Sequence, residues 1–518
     1  MTRDLGLHTL GRWTTDRSLS TPERIAIDDR GVRTTYRELE RRAASLAQKF
    51  ATAGFGVGDR IATLSGNGAD QVVLFFACAK AGLVLVPLSW RLTPAELGEQ
   101  LVIADPALWV VEDEFQRLAE QSNAQLIAPL PTVAMGPVGV EASVERVVRL
   151  GTGLQGQAPA DDDPLLMVFT SGSEGKPKAV VLTHANCFWN NLALSRTADL
   201  TSADTILAVL PQYHLGGWNI QPLLAWWVGA TVVLERTFDA GRALQLLEDR
   251  KVTKMMGVPA HYRMLATHPD FDSTDLTALK LAVVGGAPMA PSLLRCWHGR
   301  GVALVQGYGL SEAGPNVLCL ASEEAMSKIG FAGRPYPHVN VKLVDVVTGE
   351  EIHGAGDGEL LVSGPSVASG YFRDSAASAQ AFVDGWLHTG DLVHRDTEGY
   401  LKVIDRIKDL YISGGENISP TEVEQVLLTH PAVAEVAVIG VPDDRWGEVG
   451  QAWVVLQTHA HVDATELAAH CASKLARFKI PDTFKFTPTL PRVGIEKVSR
   501  QQLRDQSRTE QLSLREED

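Results

Sequence analysis

The sequence predicts an α/β protein: a large N-terminal part of βα-repeating parallel sheets with a small antiparallel β subdomain, then a small mobile α+β C-terminal part. Three observations predict it. Short apolar runs alternate with helix-length stretches through the first four hundred residues. Beyond about residue 335 the texture changes to shorter alternating strands with many glycines. A charged segment, Asp405-Arg-Ile-Lys-Asp409, then precedes a last compact α+β stretch. The expected divisions are residues 1–404, a hinge at 405–409 and residues 410–518.

In chain order, residues 61–64 read as a strand, 71–81 as an apolar helix and 84–88 as the next strand. Thr93-Pro94 opens a helix to residue 104, since a threonine cap followed by proline suits a helix start. Residues 108–111 are a further strand. After a Gly/Pro/Asp-rich link at 151–164 the pattern restarts, with strands expected at 205–210, 230–234, 253–258, 279–284 and 302–305. Residues 339–344 and 359–363 suit antiparallel sheet. Farther on, 420–428 and 464–475 read as helices and 433–441 and 452–456 as strands. The polar tail from 505 to 518 is expected to be loose.

The segment richest in chemistry is Phe169-Thr-Ser-Gly-Ser-Glu-Gly-Lys-Pro-Lys178. A strand at 165–169 feeds it, a strand-like run at 179–182 leaves it, and Thr183 is placed to cap a helix. Glycines let backbone N–H groups approach an anion, hydroxyls donate and lysines bring charge, which is what a polyphosphate needs. Spacing excludes a Walker-type loop. Only Ser173 and Glu174 separate Gly172 from Gly175-Lys176, and Pro177 blocks the helix that should begin there.

Composition narrows the rest. At a formal charge of −15 the chain has no general attraction for nucleic acid, so anions must be captured by local cationic sites. The cysteines at 78, 187, 296, 319 and 471 form no C-x-x-C pair or metal-ligand cluster, as expected of small buried side chains in a reducing compartment. Residues 1–21 lack an apolar run. The stretch 218–234 is interrupted by Asn219, Gln221, Pro222 and Gly229. No signal peptide or membrane span is expected, and the protein is expected to be cytoplasmic.

Further segments follow in a telling order: Gly285-Gly-Ala-Pro288, Gln306-Gly-Tyr-Gly-Leu-Ser-Glu312, Trp386-Leu-His-Thr-Gly-Asp-Leu392, Asp405-Arg406, Ser413-Gly-Gly-Glu-Asn417 and residues 491–500 with Lys497. Together with the loop they resemble the adenylate-forming superfamily: acyl-CoA ligases, nonribosomal peptide adenylation domains and beetle luciferases. The resemblance runs from about residue 20 to 505. It implies activation of a small-molecule carboxylic acid by ATP to an acyl-adenylate, release of pyrophosphate, and transfer of the acyl group to a thiol.

The resemblance also implies roles. Thr170, Ser171, Gly172, Ser173 and Lys178 would hold the β- and γ-phosphates, with Lys176 as helper. Gly285, Gly286 and Ala287 would form a wall for adenine, Tyr308 within Gly307-Tyr308-Gly309 would stack on it, and Gln306 would meet its amino group. Ser311, where the family usually has threonine, would contact phosphate, and Glu312 would help hold Mg²⁺. Asp391 would accept both ribose hydroxyls and Arg406 would reach ribose or the α-phosphate. Lys497 would stabilise the transition state at the α-phosphate. Glu174 and Glu496 depart from the family pattern and set carboxylates beside the phosphate loop and the lysine.

Coenzyme A is the implied thiol. Gly414 and Gly415 resemble a pantetheine tunnel, while Trp446, Phe478 and Arg91 resemble nucleotide and phosphate contacts. Lys408 matches the hinge about which residues 410–518 would rotate between half-reactions. For the acid, Pro211-Gln-Tyr-His214-Leu-Gly-Gly-Trp218 resembles an acyl-pocket segment, with His214 as a closing group and Trp218 in the wall. A medium-chain fatty acid and an aryl acid such as a cinnamate both stay open. So do an acyl-AMP ligase loading a carrier protein and a nucleotide or acyl-adenylate sensor without turnover. A homodimer is a common assembly for soluble enzymes of this size.

Overall fold

A computed structural model describes residues 6–135, 154, 156–171, 176–413, 416–443, 445–493 and 497–516. Two sheets carry the N-terminal part. One has seven strands in the spatial order Leu304–Gln306, Leu281–Val284, Lys254–Gly257, Thr205–Ala208, Thr231–Leu234, Ile25–Asp29 and Val32–Thr35. The other has six: Thr132–Met135, Leu108–Glu112, Arg60–Leu64, Val84–Leu88, Pro164–Ser171 and Pro177–Thr183. The inner strands are buried almost throughout, because helices cover both faces, and so they appear in the sequence as unbroken apolar runs. Helix Ala69–Ala81 is apolar on all sides because it packs into the core that the two sheets share. Thr93 and Thr183 both close capping boxes, with Glu96 and Asn186.

Both sheets end on an antiparallel strand, which the parallel expectation did not include. Pro177–Thr183 returns along Pro164–Ser171, setting Thr170 opposite Lys178. A connection this short can join only antiparallel neighbours, since a parallel return needs a crossover of a dozen or more residues. The phosphate-loop candidate therefore begins on one strand of an antiparallel pair and ends on the other. Ile25–Asp29 and Val32–Thr35 make the other such pair.

A six-stranded antiparallel sheet follows, with Trp386–Arg395 at its centre between Gly356–Ser363 and Leu401–Arg406. The C-terminal region builds a separate five-stranded sheet whose long hairpin, Val433–Asp443 with Gly447–Leu456, packs on helix Pro420–Leu427. Two expectations are corrected here. The tail is not loose: Arg500–Glu516 is one helix, with Leu503 and Ser507 buried. The 405–409 segment is not a bare linker either. Asp405 is buried and accepts from Ser419 Oγ at 2.6 Å and Thr421 N at 2.9 Å, and Asp409 pairs with Arg500 and Arg504. Arg500 and Arg504 of this helix reach Asp409 while Leu503 enters the core, and with one apolar anchor among polar residues the segment looks merely polar in sequence.

Leu503→Ala should open a cavity under this helix and lower the stability of the C-terminal region by about 3 kcal/mol in a urea titration. An unchanged midpoint would mean that the helix is not docked.

Candidate active site

The site gathers at the carboxyl ends of parallel strands, where an open α/β sheet leaves a crevice. Strand Leu281–Val284 runs out into Gly285-Gly286-Ala287, and strand Leu304–Gln306 runs out into Gly307-Tyr308-Gly309. Gly286 has φ +81°, a conformation that disfavours side chains. A Cβ there would stand 3.8 Å from Lys497 Cε and 3.6 Å from Val258 Cγ1. Gly309 admits no side chain at all, since its Cβ would overlap the carbonyl of Pro315. Gln306 is already engaged: its Oε1 accepts from Met289 N at 3.2 Å, so it ties down the 285–289 turn.

Asp391 lies at the centre of the next layer. Its side chain is 3% exposed, and Arg406 Nε meets Oδ1 at 2.6 Å. The Tyr308 hydroxyl donates to Oδ2, and the Thr389 hydroxyl accepts from Asp391 N at 3.1 Å. Both carboxylate oxygens thus have protein partners, where the sequence leads one to expect both turned to a ribose. Burial raises the Asp391 pKa, while Arg406 and the Tyr308 hydrogen bond pull it down. Burial and the Asp391 charge push the Tyr308 phenol well up, so it stays a donor.

A second relay links the hairpin to Glu312. Lys178 Nζ sits 5.0 Å from the Tyr371 ring centroid, and the Tyr371 hydroxyl donates to Glu312 Oε1 at 3.0 Å. Ser311 and Glu312 lie on one 3₁₀ turn, Ser311–Ala313. Among the described residues no group of three His, Cys, Asp or Glu could hold a metal by itself. A Mg²⁺ held by one carboxylate, phosphate oxygens and waters needs no such group, and the Tyr371-oriented Glu312 fits that demand.

Lys497 completes the cluster. The residue keeps solvent-exposed surface, as the wall of an open cleft does, yet its ammonium is desolvated enough to lower its pKa. Arg406 lowers it further, against the pull of Asp391 and Glu312. His214 is half-buried, and no group among the described residues hydrogen-bonds its Nε2. Burial, then the charges of Lys497 and Arg91, push its pKa down to about 3, so its imidazole is neutral at ordinary pH. Beneath the Gly285-Gly286 turn lies a small apolar cluster of Leu210, Met256 and Val258, packed with Ile220, Ala260 and Val283.

Other expected residues fall elsewhere. Trp218 is corrected from pocket wall to core: it is fully buried, stacks on Phe75 at 4.8 Å and donates from Nε1 to Gln212 O at 2.6 Å. Nothing in the sequence separates a pocket tryptophan from a core one. Trp446 and Phe478 expose 48% and 43% of their surface on the C-terminal region, each beneath the cation of its own neighbour, Arg445 or Lys479. Arg91 stacks over Trp90, and Lys408 is exposed. Gly172, Ser173, Glu174, Gly414, Gly415 and Glu496 lie outside the described residues.

Sequence reasoning missed Tyr371, Thr389 and Val258. Tyr371 carried a weak signal, an aromatic directly after Gly370. Thr389 stands inside the Trp386–Leu392 motif but passes for ordinary strand threonine.

Residues 15–372 match the model of the AMP-binding enzyme family, and residues 422–497 match that family's C-terminal domain. A feruloyl-CoA synthase from Amycolatopsis is 39% identical over 96% of this chain and 98% of its own length. A fatty acid–[acyl-carrier-protein] ligase, ScoC, from Streptomyces coeruleorubidus is 35% identical, with 96% of each chain covered. The structure of o-succinylbenzoate coenzyme A synthetase from Bacillus subtilis with ATP and a magnesium ion superposes with a TM-score of 0.83. It is 31% identical and covers 95% of this chain and 99% of that one.

With pKa about 3, the His214 ring should titrate far below neutrality. In histidine-labelled protein, the resonance that vanishes in His214→Asn should stay flat from pH 8 to pH 5. A midpoint near the ordinary value, about 6.5, would place this ring in water.

Proposed function

We propose, because this chain belongs to the AMP-binding enzyme family, that it is an AMP-forming acid–thiol ligase. It condenses a carboxylic acid with coenzyme A at the expense of ATP, through an acyl-adenylate. The observation that carries this reading is Lys497 Cε beside Gly286, with the Arg406–Asp391 pair and Glu312 near enough to act on its charge.

In the first step a carboxylate oxygen attacks the α-phosphorus of ATP. The bond to pyrophosphate breaks, pyrophosphate leaves with its electron pair, and a mixed anhydride forms. Negative charge grows around that phosphorus, where the Lys497 ammonium stabilises it and Arg406 adds a second cation. Thr170, Ser171, Gly172, Ser173 and Lys178 hold the β- and γ-phosphates. Gly285, Gly286, Ala287 and Tyr308 enclose adenine, and Asp391 faces the ribose. Mg²⁺, held by Glu312 and the phosphates, neutralises phosphate charge when bound. In the second step the CoA thiol loses its proton, a C–S bond forms and AMP departs. Residues 410–518, turning on the 405–409 hinge, exchange Lys497 for the tunnel of Gly414 and Gly415, with Arg91, Trp446 and Phe478 on the CoA nucleotide.

The feruloyl-CoA relative makes an aryl acid the first choice and a medium-chain fatty acid the second. No helix among the described residues is long and apolar enough to cross a membrane. All five cysteines are free, which supports action in the cytoplasm. A homodimer is part of the proposal and is read by sedimentation.

Pyrophosphate release with Mg-ATP over fatty, aryl and amino acids, with and without CoA, tests the reading. CoA-dependent turnover of aryl acids is expected. An adenylate discharged by a carrier protein and not by CoA would favour a ScoC-like ligase, and ATP binding without release would mark a sensor. Lys497→Ala should slow adenylate formation on the order of 10²–10³-fold while CoA still discharges supplied acyl-adenylate. Protonated Lys497 is the active form and its pKa is lowered. Adenylation should therefore fall with rising pH below the range of an ordinary lysine, and Lys497→Arg should move that limb upward.

A further inference from the structure

The catalytic lysine is carried on a short hairpin, Arg492–Val493 against Lys497–Val498, in which Val493 pairs with Lys497 and Arg492 with Val498. Two residues alone cannot hold a hairpin at a fixed place over a cleft. Its position must come from what it is tied to.

The tie leads back to the N-terminal part. Arg492 Nη2 meets Glu435 Oε2 at 2.5 Å. Glu435 Oε1 meets Arg263 Nη1 at 3.4 Å, and the same Nη1 donates to Ala434 O at 3.3 Å. Arg263 sits on helix Pro259–Ala266, which starts directly after Val258. Val258 and Lys497 Cε flank the same face of Gly286. One element of the N-terminal part therefore meets the C-terminal region twice, at the reacting lysine through Val258 and Gly286, and through Arg263 behind it.

We propose that Arg263, Glu435 and Arg492 form a latch that positions the Lys497 hairpin for adenylate formation and must open before thioester formation. All three side chains are half-buried. A lone exposed ion pair of this kind contributes little to stability. Here the three-membered relay joins two bodies, so breaking it changes their relative orientation rather than the fold of either. The 405–409 hinge segment is held separately, by Arg406 on Asp391 and by Arg500 and Arg504 on Asp409. With the hinge segment held, one latch suffices to select a rotation state. Arg263, Glu435 and Arg492 are positioning residues, since they act through one another and through the hairpin that carries Lys497.

The inference rests on the two-step ligase reading, and half-reactions measured separately test it. For Arg263→Gln and Glu435→Gln, acid-dependent ATP–pyrophosphate exchange should fall about fivefold, while single-turnover discharge of supplied acyl-adenylate by CoA holds or quickens. Arg263→Lys, which keeps the charge, should retain most of the exchange, and it replaces the glutamine variant if thermal melts show that variant unfolding. Equal loss in both half-reactions, or unchanged exchange, overturns the latch alone. Absence of exchange in the unmodified enzyme with every acid overturns the ligase reading, and the latch with it.

Discussion

A carboxylate taken out of water must be met by donors, and Asp391, 3% exposed, is one such carboxylate at the centre of the site. Its partners come from different parts of the fold. Arg406 stands opposite it across the strand pair Trp386–Arg395 and Leu401–Arg406, while Tyr308 reaches in from the end of a strand in the seven-stranded sheet. Satisfying one buried charge therefore joins the large parallel sheet, the antiparallel sheet and the start of the hinge. Removing either donor would leave an uncompensated charge in the interior, so the three elements are held in register by electrostatics as well as by packing.

The same arrangement sets the character of the cleft. Arg406 is engaged with Asp391 and still close enough to depress the Lys497 pKa, so two cations face the space beside Gly286 with only part of their charge cancelled. His214, neutral, adds no charge there. A chain with a formal charge of −15 thus sets two cations, Lys497 and Arg406, beside two carboxylates, Asp391 and Glu312, by local geometry against its overall charge. Tyr371 extends the order outward, between the Lys178 ammonium and the Glu312 carboxylate.

The C-terminal region depends on a further ion network. Arg500 reaches Glu424, Asp405 and Asp409, and it joins the last helix to the hinge. Burial raises the Glu424 pKa and the Arg500 charge lowers it, as expected of a pair held inside the protein. The Arg263–Glu435–Arg492 relay and the approach of Lys497 Cε to Gly286 both run between residues before 404 and residues after 410.

Much of this could be read from the chain by itself. The buried strands had to be apolar on both faces and the capping threonines had to precede their helices, because each follows from local backbone physics. The motif order, through the family resemblance, also pointed to Lys497, Asp391 and Arg406, which the structure brings near one another. What only the tertiary structure decided was where side chains of common type spend their interactions. Trp218 went to the core, Gln306 to the 285–289 turn, and Arg263, Glu435 and Arg492 to one another across 229 residues of sequence. Long-range pairs of this kind leave no periodicity or spacing behind, because their partners meet only after the sheets have assembled.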